Sequence, residues 1–100
     1  MKFCQQLSSY LKNKKYTGYR LYQDMYEQAI LCDQGGYDSV GITEHHLINI
    51  LMMPAPLQFA VKITGATKKI KIITAVAVLP IHDMRVFAGE VIAAQMFTDN

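Results

Sequence analysis

The chain has little cysteine and little charge. Cys4 and Cys32 are its only cysteines in 100 residues, and no C-x-x-C pair occurs, which argues against a disulfide scaffold or a cysteine-based metal site. Two free thiols fit a reducing cytoplasm. Only 18% of the residues are charged, below the usual ~25% of globular chains, so part of the surface expects to be covered. A formal charge of +2 is too small to argue for nucleic acid or an anionic membrane, and the lysine pairs Lys14-Lys15 and Lys68-Lys69 form no basic stripe. Nothing resembles a secretory leader: Met1-Lys2-Phe3 runs into a strand-like segment broken by Gln5, Gln6, Ser8 and Ser9. The longest apolar run, Ile72 to Ile81, is about half of a bilayer span. No low-complexity segment or linker interrupts the chain. These absences leave a soluble intracellular protein of at most one domain, with a modest core.

What is present is a unit written three times. Apolar strand-type runs begin near Lys2, Tyr37 and Ile70, a period of about 33 to 35 residues, each followed by a loop and a segment of helical period. Tyr22, Met25, Tyr26, Ala29 and Cys32 make one apolar stripe, which Gly35-Gly36 ends. A second helix is predicted over Ala55 to Ala66, entered through Pro54 and Pro56, with Leu57, Ala60, Val61 and Thr64 inward. A third is predicted over Met84 to Phe97, capped by Asp83, with Met84, Phe87, Ala88 and Val91 inward. The third strand run, Ile70 to Val78, is nearly all apolar, as expected of a strand buried on both faces. The polar, tyrosine-rich stretch from Ser8 to Arg20 is long for a βα connection and is a candidate functional loop.

Strands alternating with helices at this spacing predict a parallel sheet of α/β class. Three such strands cannot close, and a (β/α)8 TIM-type barrel needs about 250 residues. The expectation is therefore the first three βα units of a barrel: residues 1–100 as the N-terminal portion of a longer domain, apparently truncated, with Thr98-Asp99-Asn100 in the loop before a fourth strand.

In parallel α/β folds, ligands sit at the C-terminal ends of strands. Here the second strand ends in Thr43-Glu44-His45-His46. Alternation puts Ser39, Gly41, Thr43 and His45 on one face and Val40, Ile42 and Glu44 on the other. The apolar pair must meet the helices, so the set ending in His45 faces the barrel interior. His45 is the first candidate for catalysis; a structural histidine bonded to a backbone carbonyl is the other reading. Adjacent strand residues diverge, so His45 and His46 would not share a metal ion. A metal would need His82 or Asp83 and further ligands, and no metal site is expected. Ala75 and Ala77 are small enough for a flat ligand to lie against the backbone, or for an inner barrel layer to taper.

Several separated motifs agree on a family. Gly35-Gly36-Tyr37-Asp38-Ser39-Val40, Thr43-Glu44-His45-His46, Thr64-Gly65-Ala66-Thr67, Ile70, Thr74 to Pro80 and Arg85-Val86 resemble, in order and spacing, the bacterial luciferase-like flavin-dependent monooxygenases. The resemblance covers residues 21 to 100. It implies a (β/α)8 barrel that binds reduced FMN, supplied by a separate reductase, and uses O2 to oxidise a small organic substrate such as an aldehyde. It also implies that His45 is the catalytic acid/base and that Glu44 lines the flavin pocket. Ala75 and Val76 would lie beside the flavin ring, joined by a non-proline cis peptide. Barrels of this family pair into homo- or heterodimers through their helices. Two departures stand out: Asp83 follows His82 where many relatives carry proline, and the family's phosphate contacts come from later strands. The 100-residue chain alone is thus not expected to hold flavin well or turn over.

Three other readings stay open on sequence. Relatives sharing the barrel use a deazaflavin coenzyme as reductases. Some paired chains are non-catalytic partners, against which the retention of Glu44 and His45 argues. A self-contained small α/β module is the third.

Overall fold

The central strand carries the architecture. In the computed structural model, which describes residues 1–13 and 15–98, β2 (Ser39–Ile42) is buried along its whole length. It pairs in parallel with β1 (Cys4–Leu7) on one side and β3 (Lys71–Thr74) on the other. Helices α1 (Gly18–Gln34), α2 (Pro56–Thr64) and α3 (Met84–Phe97) alternate with the strands, and a short 3-10 turn, Leu79–Ile81, precedes α3. The order is β1-β2-β3. Lys14 of the first lysine pair and the terminal Asp99 and Asn100 lie outside the described residues.

The core forms on the helix side of the sheet. Leu7, Val40 and Ile42 meet Leu21, Met25, Ala29 and Cys32 of α1 and Phe59 and Ile63 of α2. Burying each large apolar side chain contributes about 1.5–3 kcal/mol, so this one cluster dominates the hydrophobic stabilisation. The α1 stripe expected from the sequence is confirmed in Met25, Ala29 and Cys32, with Tyr22 and Tyr26 packed at its margin. Tyr22 meets Phe59 edge to face at 5.4 Å, a favoured aromatic geometry.

Local chemistry sets the ends of the helices. Thr17, which sequence reading passed over, caps α1 by accepting from the Arg20 N–H at 3.2 Å. Gly36 follows the helix with φ +79°, a conformation that glycine adopts freely. Pro56 opens α2 at its first position, and the Asp83 side chain accepts from the Arg85 N–H to cap α3, both as expected.

Four expectations are corrected. The strand predicted over Ile70 to Val78 ends at Thr74; the backbone then turns through a cis Ala75–Val76 bond into the 3-10 turn. Nor is it buried on both faces, since Lys71 and Ile73 are exposed and no strand among the described residues pairs with its outer edge. In α2 the buried line is Pro56, Phe59 and Ile63, while Leu57, Ala60, Val61 and Thr64 are only half-buried. The helix contacts the sheet and α3 on different sides, and the apolar period registered only one of them. In α3 no residue is fully buried: Met84, Ala88 and Val91 are exposed and only Phe87 of the expected face is half-buried.

Carboxylates tie the N-terminal edge of the sheet. Asp38 accepts from the Phe3 N–H at 2.7 Å. Asp33, at the end of α1, accepts from the N–H groups of Lys68, Lys69 and Ile70, at 3.0, 2.9 and 2.8 Å. The bonds from Lys69 and Lys68 foremost hold the Asp33 carboxyl below its ordinary value. A carboxyl lowered in the folded state stabilises it above the unfolded-state value and loses that contribution as pH falls through the native one. Asp33→Ala should therefore lower stability by about 1–2 kcal/mol at neutral pH, water replacing part of the lost bonding. The gap from the parent should close as pH falls below the ordinary carboxylate value of about 3.9, read as urea midpoints across pH.

Candidate active site

All three βα connections meet at the C-terminal edge of the sheet. The first two zip together: the Leu11 N–H donates to the Ile50 carbonyl at 2.7 Å, the Met52 N–H to Ser9 at 3.0 Å, and Tyr10 and Leu51 form an antiparallel bridge. The third is tied to the strand beside it by the Ala75 N–H, which donates to the Ile42 carbonyl at 2.7 Å. Ser9 to Leu11 of the first connection are thus held against the segment that carries the histidines.

Within that segment, alternation persists past the end of the strand. Val40 and Ile42 are fully buried beneath the helices, and Glu44 follows them to the same side. Its side chain is fully buried, and its two oxygens are divided. Oε1 lies 2.6 Å from His46 Nε2 and 2.6 Å from His82 Nε2. Oε2 accepts from the Val78 N–H at 2.7 Å. Burial alone would push this carboxyl up; the donors from His46, Val78 and His82 outweigh it and hold the group below its ordinary value. An ionised carboxylate only accepts, so both imidazoles carry their proton on Nε2. His82 also stacks on Phe87 of α3, ring centres 4.5 Å apart. Glu44 and His82 line a cavity of about 520 Å³ between α2 and α3, with Pro54, Leu57, Val61 and Phe87.

His45 is half-buried and belongs to no bond of that cluster; its N–H donates to the Met53 carbonyl at 2.8 Å. Ala75 and Val76 are exposed and are joined by the cis peptide that the family resemblance implied. Of the four residues singled out from sequence, Glu44 sits in the hydrogen-bonded cluster, His45 beside it in the chain, and Ala75 and Val76 at the exit of the neighbouring strand. Two partners of Glu44 were missed: His46, set aside because it diverges from His45, and His82, considered only as a metal ligand. The missed signal was spacing by two. Glu44 and His46 share a side of an extended segment.

The same donor set, Glu44, His46 and His82, brings its ligand atoms within 4.8 Å of one another. A tetrahedral ion at 2.0–2.1 Å from each donor would hold them about 3.3 Å apart. The two 2.6 Å separations are instead those of hydrogen bonds.

On the opposite face, Gln6, Gly41 and Ile73 stand side by side in the strand register. The Gln6 amide crosses Gly41 and donates to its carbonyl at 3.1 Å. A Cβ on Gly41 would fall 2.4 Å from Gln6 Oε1, so the small residue makes room for the amide.

The comparisons with known proteins fall into place on this geometry. A family profile described as luciferase-like monooxygenase matches residues 5–99. The chain belongs to that family. It is 37% identical over 65 residues, 65% of its length, to the uncharacterized protein y4vJ of Sinorhizobium fredii, spanning 18% of that protein. It is 30% identical over 74 residues, 74% of its length, to the oxygenase component of the flavin-dependent trigonelline monooxygenase of Acinetobacter baylyi, spanning 21% of it. The chain thus covers about a fifth of these relatives. Among solved structures it matches the oxygenating constituent of the Pseudomonas putida 3,6-diketocamphane monooxygenase in complex with FMN, with TM-score 0.89, 19% identity, 98% of this chain and 27% of that one. Apo-MsnO8 matches with TM-score 0.89, 21% identity, 97% of this chain and 29% of that one. These likenesses establish the fold as three consecutive βα units of a TIM-type barrel. No helix among the described residues is long and apolar enough to cross a membrane.

Gly41→Ala should leave the protein folded, because the clashing atom ends a flexible side chain. The expected loss is about 1 kcal/mol, that of the Gln6 hydrogen bond, checked by denaturant midpoint.

Proposed function

We propose that this chain is the N-terminal part of a flavin-dependent monooxygenase that uses reduced FMN and O2 to oxidise a small organic substrate. His45 is its acid/base group. The observation that carries the reading is the disposition of residues 44 to 46: Glu44 and His46 turn to one side and bond each other, which leaves His45 between them for the opposite side. That side is the one on which Gly41 lies, where the barrel interior would be. Family membership supports the flavin chemistry, and the FMN complex of the diketocamphane enzyme supports the cofactor.

The residues fit a flavin in one specific respect. Beyond β3, the exposed Ala75–Val76 segment offers small side chains and bare backbone, against which a flat ring can lie. Ala75 and Val76 would flank that ring. Glu44 would serve the pocket by bracing its wall, since both its oxygens are already engaged by protein donors. A bound reduced flavin would supply the electrons to O2; the protein supplies orientation, dryness and a proton. An imidazole can both accept and donate a proton, so His45 can hold one for one step and return it in another. The same proposal includes a reducing cytoplasm, in which Cys4 and Cys32 stay free, and pairing of barrels through their helices, for which exposed apolar side chains of α3 are available.

His45→Ala in the full-length protein, given reduced FMN, O2 and a panel of aldehydes and ketones, should lower product formation by about 10²–10⁴-fold. Unchanged product would remove His45 from the mechanism. Flavin titration checks the cofactor. Tighter binding of a deazaflavin than of FMN would move the protein to the reductases, and no binding of either would make it a partner chain.

A further inference from the structure

We propose that Glu44 is a positioning residue, whose buried carboxylate fixes where the neighbouring His45 imidazole stands. The inference rests on the reading of His45 as the acid/base group. It adds the device that aims this group, whose distant members, Val78 and His82, lie 34 and 38 positions from Glu44 in sequence.

Residues 44 to 46 are past the last ladder bond of β2, which ends at Ile42. An unpaired segment of this kind would sample several conformations. Here each of the three residues is held separately. Glu44 Oε2 takes the Val78 N–H, the His45 N–H goes to the Met53 carbonyl, and the His46 ring returns to Glu44 Oε1. The backbone on both sides of His45 is thereby pinned, and the pin reaches into a second connection and a third helix, because His82 shares Oε1 and stacks on Phe87. A neutral hub would fail. Three donors converge on the two oxygens, and only the carboxylate can accept from all of them without presenting a proton of its own. Placement matters to rate because a displacement of about 1 Å in a reacting group can cost 10²-fold.

The cluster is not read as a metal centre, for the reason of spacing given above, nor as a flavin ligand, because the Glu44 side chain is fully buried and both oxygens already accept from protein donors. Both alternatives are outcomes of the test. In the full-length protein, Glu44→Gln and His82→Ala should each lower kcat by about 10- to 100-fold, as for outer-sphere partners of catalytic groups. KM for reduced FMN should stay near the parent value, with kcat referred to bound flavin. His82→Gln, whose amide can still donate to Oε1, should recover most of the loss. NMR of histidine-labelled protein should find His46 and His82 protonated on Nε2 in the parent and mixed tautomers in Glu44→Gln.

Unaltered kcat in Glu44→Gln and His82→Ala overturns the inference. So does a raised KM with kcat intact, which would make Glu44 a flavin contact. Equal impairment of His82→Gln and His82→Ala would reduce the interaction to packing. Stoichiometric Zn2+ uptake by the parent, lost in Glu44→Gln, would assign the cluster to a metal and overturn it as well. If His45→Ala is inactive while Glu44→Gln is active, only this inference falls; if His45→Ala is fully active, the function falls and takes the inference with it.

Discussion

A carboxylate removed from water must find donors for both oxygens, or the effective penalty is several kcal/mol. At Glu44 the donors come from three places in the chain: the adjacent His46, the Val78 backbone and His82. No single βα unit can satisfy it. The group is comfortable only when the end of β2, the connection after β3 and the start of α3 are all in place, so one buried charge makes the C-terminal edge of the sheet depend on two units folding against each other. Asp33 does the same at the opposite edge, where the end of α1 gathers three amides ahead of β3. Apolar burial holds the middle of the sheet, and hydrogen-bonded carboxylates hold its ends.

How far this could be read in advance depended on the range of the interaction. The α1 stripe, the Asp83 cap, Pro56 at the start of α2 and the face of Val40 and Ile42 are all local patterns, and the chain obeys them. The strand after Ile70 was over-extended because an apolar run carries no mark of where pairing stops; the pairing partner decides, and it stops at Thr74. The inner face of α3 was misjudged for a related reason. A helix on which most positions are apolar gives periodicity little to discriminate, and its exposed Val86, Ile92, Met96 and Phe97 leave the choice to packing partners. The constellation at Glu44 joins residues 38 positions apart, a relation that only the sheet register creates. The Glu-His-His motif was legible; the reason for its first and third members was not.

Register then becomes the quantity on which the proposed chemistry turns. Side chains along a strand alternate, so Glu44 and His46 belong to the helix side and His45, under the proposed function, to the barrel interior. A slip of one residue would exchange them, putting an uncompensated carboxylate toward the flavin and an imidazole among apolar helices. The chain guards against this at both ends of β2. Phe3 and Lys71 are tied to Asp38 below, and Ala75 is tied to Ile42 above, so neither neighbour can shift without losing a charged or backbone bond. Glu44 adds a third lock at the same edge, and it penalises the wrong register most, because only one alignment brings Val78 and His82 to its two oxygens. Under the proposed function, a motif of three polar residues in a row is two structural residues enclosing one chemical residue, and the flanking pair earns its place by excluding every arrangement in which the middle one points elsewhere.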